Sequence, residues 1–142
     1  MNKILLAFDG SESADRAVSY VLEFARNSRQ PLEVHVLNVQ APVTFGDVRK
    51  FVSQEALNAY YHDEGVKVIE SARRRLDKSS IPHHYHVGVG SVAETIVGYA
   101  REHDCDQIIM GTRGLSAISS LLVGSVATKV LHLAEIPVTC VK

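Results

Sequence analysis

The stretch that runs from Gly111-Thr112-Arg113-Gly114 to Gly124-Ser125 has the make-up of a ligand-binding loop. Glycines at 111 and 114 let the backbone turn sharply and approach a ligand with no Cβ in the way. Gly124 and Ser125 fall where a helix begins, and the free N–H groups of a helix N-terminus suit a phosphate. The Ser125 hydroxyl adds a donor and Arg113 a positive charge. The same residues would also make a tight strand exit followed by a helix cap, and glycines alone do not separate the two. Asp9 is the second candidate. A carboxylate directly after a strand can accept hydrogen bonds from a ribose hydroxyl or help hold a cation. Its plainer use is to turn the chain through Asp9-Gly10-Ser11 and cap the next helix.

Other chemistries find less support. There is no Gly-Lys-Ser/Thr, so the loop is not the P-loop of motor and signalling NTPases. No Gly-x-Ser-x-Gly elbow follows a strand, which argues against a Ser–His–Asp hydrolase. His84 and His86 would share one face of a strand beside His83, but a zinc site needs three or four ligands and no cysteine or acidic cluster accompanies them. They read as exposed or edge-strand histidines, and His35 reads as a satisfied core histidine. Cys105 reads as semi-exposed with nothing nearby to lower its thiol pKa, and Cys140 as a small core residue. No residue stands out as one that would orient an attacking water, so no catalytic residue is assigned and binding is better supported than turnover.

Composition narrows the partners. The 142 residues suit one domain, 1–142, with a core large enough to fold without disulfides or metal. Fifteen basic and sixteen acidic residues give a net charge of −1, which offers no footprint for nucleic acid or an anionic membrane. No apolar run is long enough to span a bilayer, and the apolar stretch before Asp9 is too short for a secretory core. Two cysteines without a framework point to a reducing cytoplasm.

The elements that must position these residues follow from the apolar pattern. Ile4 to Phe8 is a continuous apolar run, as expected of a strand covered on both faces in a parallel sheet. Ala14, Ala17, Val18, Val21, Leu22 and Ala25 recur at helical spacing, and Leu32 to Val39 predicts the second strand. A long helix follows, with Leu57, Tyr61, Val68, Ala72 and Leu76 on one face and Arg73-Arg74-Arg75 as a solvated terminus. His84 to Val89 predicts a weaker third strand, and Ser91-Val92-Ala93-Glu94 a capping box opening the next helix. Asp106 to Met110 predicts a fourth strand. Ser125 to Ala134 predicts a last helix with Val126, Ala127, Val130, Leu131 and Ala134 inward, and Pro137 to Val141 a fifth strand. Strict alternation of strand and helix implies an α/β fold, a five-stranded parallel doubly wound sheet with helices on both faces. Ligands of such sheets bind beyond the carboxyl ends of the strands, where the winding reverses.

The spacing Gly111-x2-Gly114-x9-Gly124-Ser125 resembles the nucleotide motif of the universal stress protein family, in its ATP-binding branch. Lys3 to Ser11 is similar to that family's first strand and turn, Val34-His35-Val36 to its second strand, Asp106 to Gly111 to its fourth and Pro137 to Val141 to its last. The resemblance spans essentially the whole chain and implies a Rossmann-like fold of the adenine nucleotide alpha hydrolase type. It also implies a ligand, ATP or its relatives ADP and AMP, with Mg²⁺ or Mn²⁺. Asp9 would contact the ribose or support the metal, with Ser11 in the same turn. Ala7 and Met110 would lie beside the adenosine, and Val36 would offer backbone hydrogen bonds to adenine. Gly111, Arg113, Gly114, Gly124, Ser125 and Val126 would surround the phosphates. Ala7 is a departure, since some members have proline there. The resemblance further implies a homodimer through Val138, Thr139, Cys140 and Val141, and a regulatory protein partner. An apolar edge strand gives that pairing a physical motive of its own. Two other readings stand beside this one. The first is slow ATP hydrolysis or autophosphorylation at Ser116, Ser119, Ser120 or Ser125; the second is an interaction module that ignores nucleotide.

Overall fold

The computed structural model describes residues 2–43, 52–113 and 123–142. Among these residues five strands alternate with four helices: β1 (Asn2–Ala7), α1 (Glu12–Asn27), β2 (Leu32–Gln40), α2 (Gln54–Lys78), β3 (His83–Val89), α3 (Val92–Glu102), β4 (Gln107–Gly111), α4 (Ser125–Leu133) and β5 (Val138–Val141). All strand pairs are parallel and the sheet order is β3-β2-β1-β4-β5. This is the doubly wound α/β fold expected from the alternation.

The winding runs outward from β1 to β2 and β3, then returns to the other side of β1 for β4 and β5, so it reverses between β1 and β4. Successive residues of β1 serve opposite cores, as the pleat requires. Ile4, Leu6 and Phe8 pack with α1 and α2 through Ala17, Val18, Val21, Ile69, Ala72 and Leu76. Leu5 and Ala7 pack with α3 and α4 through Ala93, Ile96, Ala100, Ala127 and Val130. Both faces are covered, and Ile4, Leu5, Leu6, Val34, Val36, Ile108 and Ile109 of the central strands are wholly buried.

Some local details depart from the sequence reading. In α2 the buried stripe runs Leu57, Tyr61, Gly65, Ile69, Ala72 and Leu76, with Val68 only half-buried at its side. Gly65 belongs there because a Cβ would stand 2.5 Å from the Val87 side chain. The arginine triplet is not merely solvated. Arg73 lies 4.1 Å over the Tyr85 ring, Arg74 pairs with Glu70 at 2.6 Å, and Arg75 donates to Ser19 Oγ and the Asp15 carbonyl of α1. The capping box at Ser91 does not close. Its hydroxyl caps nothing among the described residues, and Glu94 instead pairs with Lys129 of α4. Leu131, expected inward, is 49% exposed. The inner stripe of α4 is Val126, Ala127, Val130 and Leu133, and 3.6 residues per turn put Leu131 roughly 100° from its centre. Cys105 is buried rather than semi-exposed, and burial pushes its thiol up to about 11.

Candidate functional site

The carboxyl edge between β1 and β4 is built from four short pieces. Ala7 and Met110 are register partners on the two strands, both buried, and mark the last paired level before the chains leave the sheet. Phe8 continues β1 for one more step, its N–H donating to Leu37 at 2.8 Å. The Asn38 side-chain amide, also buried, donates to the Phe8 carbonyl at 2.9 Å and accepts from Gln40 at 2.6 Å. Asn38 thereby fixes the exit of β1. Sequence reasoning passed it over, because an asparagine in a buried strand carries no signal until its partner is known.

Asp9 then turns the chain. Its Oδ1 accepts the Ser11 N–H at 2.9 Å, and Gly10 takes a left-handed φ of +81° that only glycine adopts freely. Ser11 caps α1, its Oγ accepting from the Ala14 N–H at 3.2 Å. The plainer reading of Asp9-Gly10-Ser11 as a turn and cap therefore holds, with Asp9 half-buried at the edge.

On the β4 side, the Arg113 carbonyl accepts from Ser13 Oγ at 2.6 Å and from Ser11 Oγ at 3.3 Å. The two hydroxyls strap the start of the long loop to the first turn of α1. Gly111 serves this contact: a Cβ there would collide with Ser13 Oγ and come within 2.8 Å of the Ala14 nitrogen and the Ser13 carbonyl carbon. Its lack of a side chain lets a helix approach, which differs from the expectation that it admits a ligand. Ser13 was missed because nothing in the sequence pairs it with position 113.

The other end of the loop returns to the same point. The Gly124 N–H donates to the Thr112 carbonyl at 2.6 Å, which brings the N-terminus of α4 beside the end of β4. Gly124 is the N-cap of α4, in an extended conformation (φ −72°, ψ 167°), and supplies no capping side chain. The first N–H groups of α4, Ser125 and Val126 among them, have no carbonyl partner within the helix, and those of Val126 and Ala127 lack the N-cap side chain that usually accepts from them. Thr112 is 4% exposed and its Oγ1 is buried with no hydrogen-bond partner among the described residues.

The structure thus gathers Ala7, Asp9, Ser11, Met110, Gly111, Arg113, Gly124, Ser125 and Val126 at one edge. Gly114 and the serines at 116, 119 and 120 lie outside the described residues. Val36 stands one step inside the edge, level with Leu6 and Tyr85, with its side chain wholly buried. Val34 and Gln40 bond to the β3 side through Pro82 and Gly90, and Val36 shares their parity, so its peptide groups also face β3.

The chain and its fold resemble those of known proteins. The model of the "Universal stress protein family" matches residues 1–142. The chain is 26% identical to universal stress protein YxiE of Bacillus subtilis, over 99% of each chain. It is 32% identical to a universal stress protein of Thermus aquaticus, over 98% of this chain and 97% of the relative. Among solved structures, hypothetical protein MJ0577 superposes with a TM-score of 0.86 at 29% identity, over 99% of this chain and 95% of the other. Looser structural matches, at 19–24% identity and TM-scores of 0.64–0.72, include family proteins solved with dAMP (Archaeoglobus fulgidus), with AMP (Arabidopsis thaliana) and with cAMP. They cover 99–100% of this chain and 92–98% of the others. Among the described residues, no helix is long and apolar enough to cross a membrane.

Proposed function

The chain belongs to the universal stress protein family, and from that premise we propose that it binds an adenine nucleotide, ATP foremost, between β1 and β4 as a regulatory module of the cytoplasm. The observation that carries this reading is the N-terminus of α4, without a side-chain cap among the described residues and drawn against Thr112 where the strand order reverses. Free N–H groups and the helix dipole favour phosphate there. The Thr112 hydroxyl, buried without a partner among the described residues, can donate to or accept from a ligand, and Arg113 adds charge.

Ala7 and Met110 form the apolar floor for the adenosine, with Asp9 beside the ribose and Val36 one step behind. Arg113, Gly124, Ser125 and Val126 surround the phosphates, and the motif spacing alone adds Gly114 to them. The neighbours solved with AMP, dAMP and cAMP support the adenine moiety; the triphosphate rests on the glycine spacing. Asp9 is the carboxylate that would hold Mg²⁺ or Mn²⁺, ions that commonly take one or two carboxylates along with phosphate oxygens. β5 pairs with β4 on one side only, and its four half-buried residues suit pairing with a second copy. A partner protein would then read the occupied or empty state.

Gly124→Asp tests the phosphate placement. Its extended backbone is that of an Asp N-cap, so the new carboxylate would take the free N–H groups and repel phosphate. Calorimetric titration of nucleotide-stripped protein with ATP and AMP should show at least a tenfold loss of affinity, with the thermal midpoint kept or raised. Unchanged affinity would refute the placement, and a wild-type protein that ignores every adenine nucleotide would overturn the function.

A further inference from the structure

A second group of side chains, on the α3 face of the sheet, takes no part in the nucleotide edge. His35 on β2 is the register partner of His84 on β3, and His86 follows two residues later, so all three point to the same face. α3 ends above them, bringing Tyr99 and, as its C-cap, His103. A crossover helix runs antiparallel to its strands, so its C-terminal end lies toward the amino ends of the sheet, away from the β1–β4 exit.

His35 Nδ1 lies 2.9 Å from His86 Nε2, and His35 Nε2 lies 2.8 Å from Glu33 Oε1. The His103 ring is 4.4 Å from that of His86 and 5.0 Å from that of His35, centroid to centroid. One ring nitrogen from each of His35, His86 and His103 falls within 4.8 Å of the others. His83 is separate, its Nδ1 held by the Ile81 carbonyl at 2.8 Å.

A hydrogen bond alone accounts for His35 and His86 but not for His103, whose ring has no hydrogen-bond partner among the described residues. Three features fit the cluster to a cation instead. The Glu33 carboxylate can only accept, so it fixes the proton of His35 on Nε2 and leaves the Nδ1 lone pair pointing into the cluster. That is how an outer carboxylate orients a metal-ligating histidine. The C-terminal carbonyls of α3 give His103 a partially negative setting. Burial, joined by repulsion from neighbouring rings, holds His35 below its ordinary value and His86 at about 4, so both imidazoles are neutral near pH 7.

We propose that His35, His86 and His103 form a three-imidazole site for a divalent transition metal ion of the zinc class, with Glu33 as the carboxylate that orients His35. Nitrogen donors suit zinc, copper and nickel and are poor ligands for Mg²⁺ or Ca²⁺. Two nitrogens on one tetrahedral zinc stand roughly 3.3 Å apart for Zn–N of about 2.0–2.1 Å, so the His35–His86 pair has only to open by about half an ångström. His84 stays outside; its ring stacks on His35 and its Nε2 lies 3.6 Å from Glu33. A bound ion would pin the exposed edge strand β3 to the end of α3. A fourth position remains for water, as in three-ligand zinc sites.

The full chain, treated with chelator and dialysed, should take up one equivalent of Zn²⁺ by calorimetry and develop the visible bands of low-coordinate Co²⁺. His103 is half-buried at a helix end, so His103→Ala and His103→Gln should keep the circular dichroism of the native fold and lose Zn²⁺ affinity at least tenfold. Glu33→Gln should weaken binding about 10–100-fold, while His132→Ala, at an exposed position of α4, should bind as wild type. The proposal is overturned by absence of saturable Zn²⁺ or Co²⁺ binding, by binding that survives in both His103 variants, or by equal loss in His132→Ala.

Discussion

Gly111→Ala separates the two uses to which that glycine can be put. Its backbone is not left-handed, so alanine introduces no φ strain; the whole effect comes from the space its methyl group would fill. That space is occupied by Ser13 Oγ, and the Ala14 nitrogen and Ser13 carbonyl carbon are both 2.8 Å away. A hydroxyl could rotate aside, but the other two atoms belong to the first turn of α1 and move only if the helix end lifts. Overpacking of this kind costs about 1–3 kcal/mol. Lifting α1 also strains the bonds from Ser11 and Ser13 to the Arg113 carbonyl, each contributing about 0.5–1.5 kcal/mol. The sum, about 2–6 kcal/mol, corresponds to a fall in Tm of roughly 8–24 °C at about 4 °C per kcal/mol for a chain of this size. Urea unfolding of nucleotide-free protein, followed by far-ultraviolet circular dichroism, measures it directly. A variant within about 0.5 kcal/mol of wild type that nevertheless lost nucleotide affinity would refute the packing argument and return Gly111 to the ligand.

Gly98→Ala should act in the opposite sense: it sits in α3 with nothing within 4 Å of a new Cβ, and the same unfolding assay should show a gain of about 0.5–1 kcal/mol. Asn38→Ala removes a buried donor from the Phe8 carbonyl and should cost about 1–3 kcal/mol, read by the shift in urea midpoint at constant slope. The Cys105 thiol is raised from 9.0 to about 11 in the folded chain. The folded state thus keeps its proton longer than the unfolded state, and stability present below pH 9 is lost as the pH rises toward 11. Relative to Cys105→Ala, wild-type stability should decline over that interval by at most about 3 kcal/mol, as checked by urea titrations at stepped pH.

What was legible in the sequence is what depends on local pattern. The continuous apolar runs Ile4–Phe8 and Ile108–Met110, the second inside the expected strand Asp106–Met110, read as strands buried on both faces, and alternation with helical stripes then implies a parallel sheet. That a ligand would bind beyond the carboxyl ends of the strands followed from the same logic, but which pair of strands flanks the reversal needed the strand order. The details that escaped depend on which remote segments meet. Gly111 has its meaning only once Ser13 is known to lie against it, a hundred residues earlier in the chain. Thr112 becomes notable only when its hydroxyl is seen to be buried without a partner among the described residues. Ser91 and Glu94 have the spacing of a capping box, but Lys129 of the neighbouring helix offers the glutamate an ion pair. The histidines were weighed within one strand, and the cluster needs β2, β3 and the end of α3 together.

The division of the core into two faces also divides it in time along the chain. Of the buried residues packed under α1 and α2, all but Ile109 precede residue 82. The core under α3 and α4 draws only Leu5, Ala7 and Leu37 from that part of the chain and waits for residues 93 onward for the rest. A nascent chain emerging from the ribosome can therefore finish one side of the sheet while the other side is still bare. During that interval β1, destined to be the middle strand, is left with an unpaired edge until β4 arrives about a hundred residues later. Half-made chains, more than finished ones, are where this sequence should depend on chaperones.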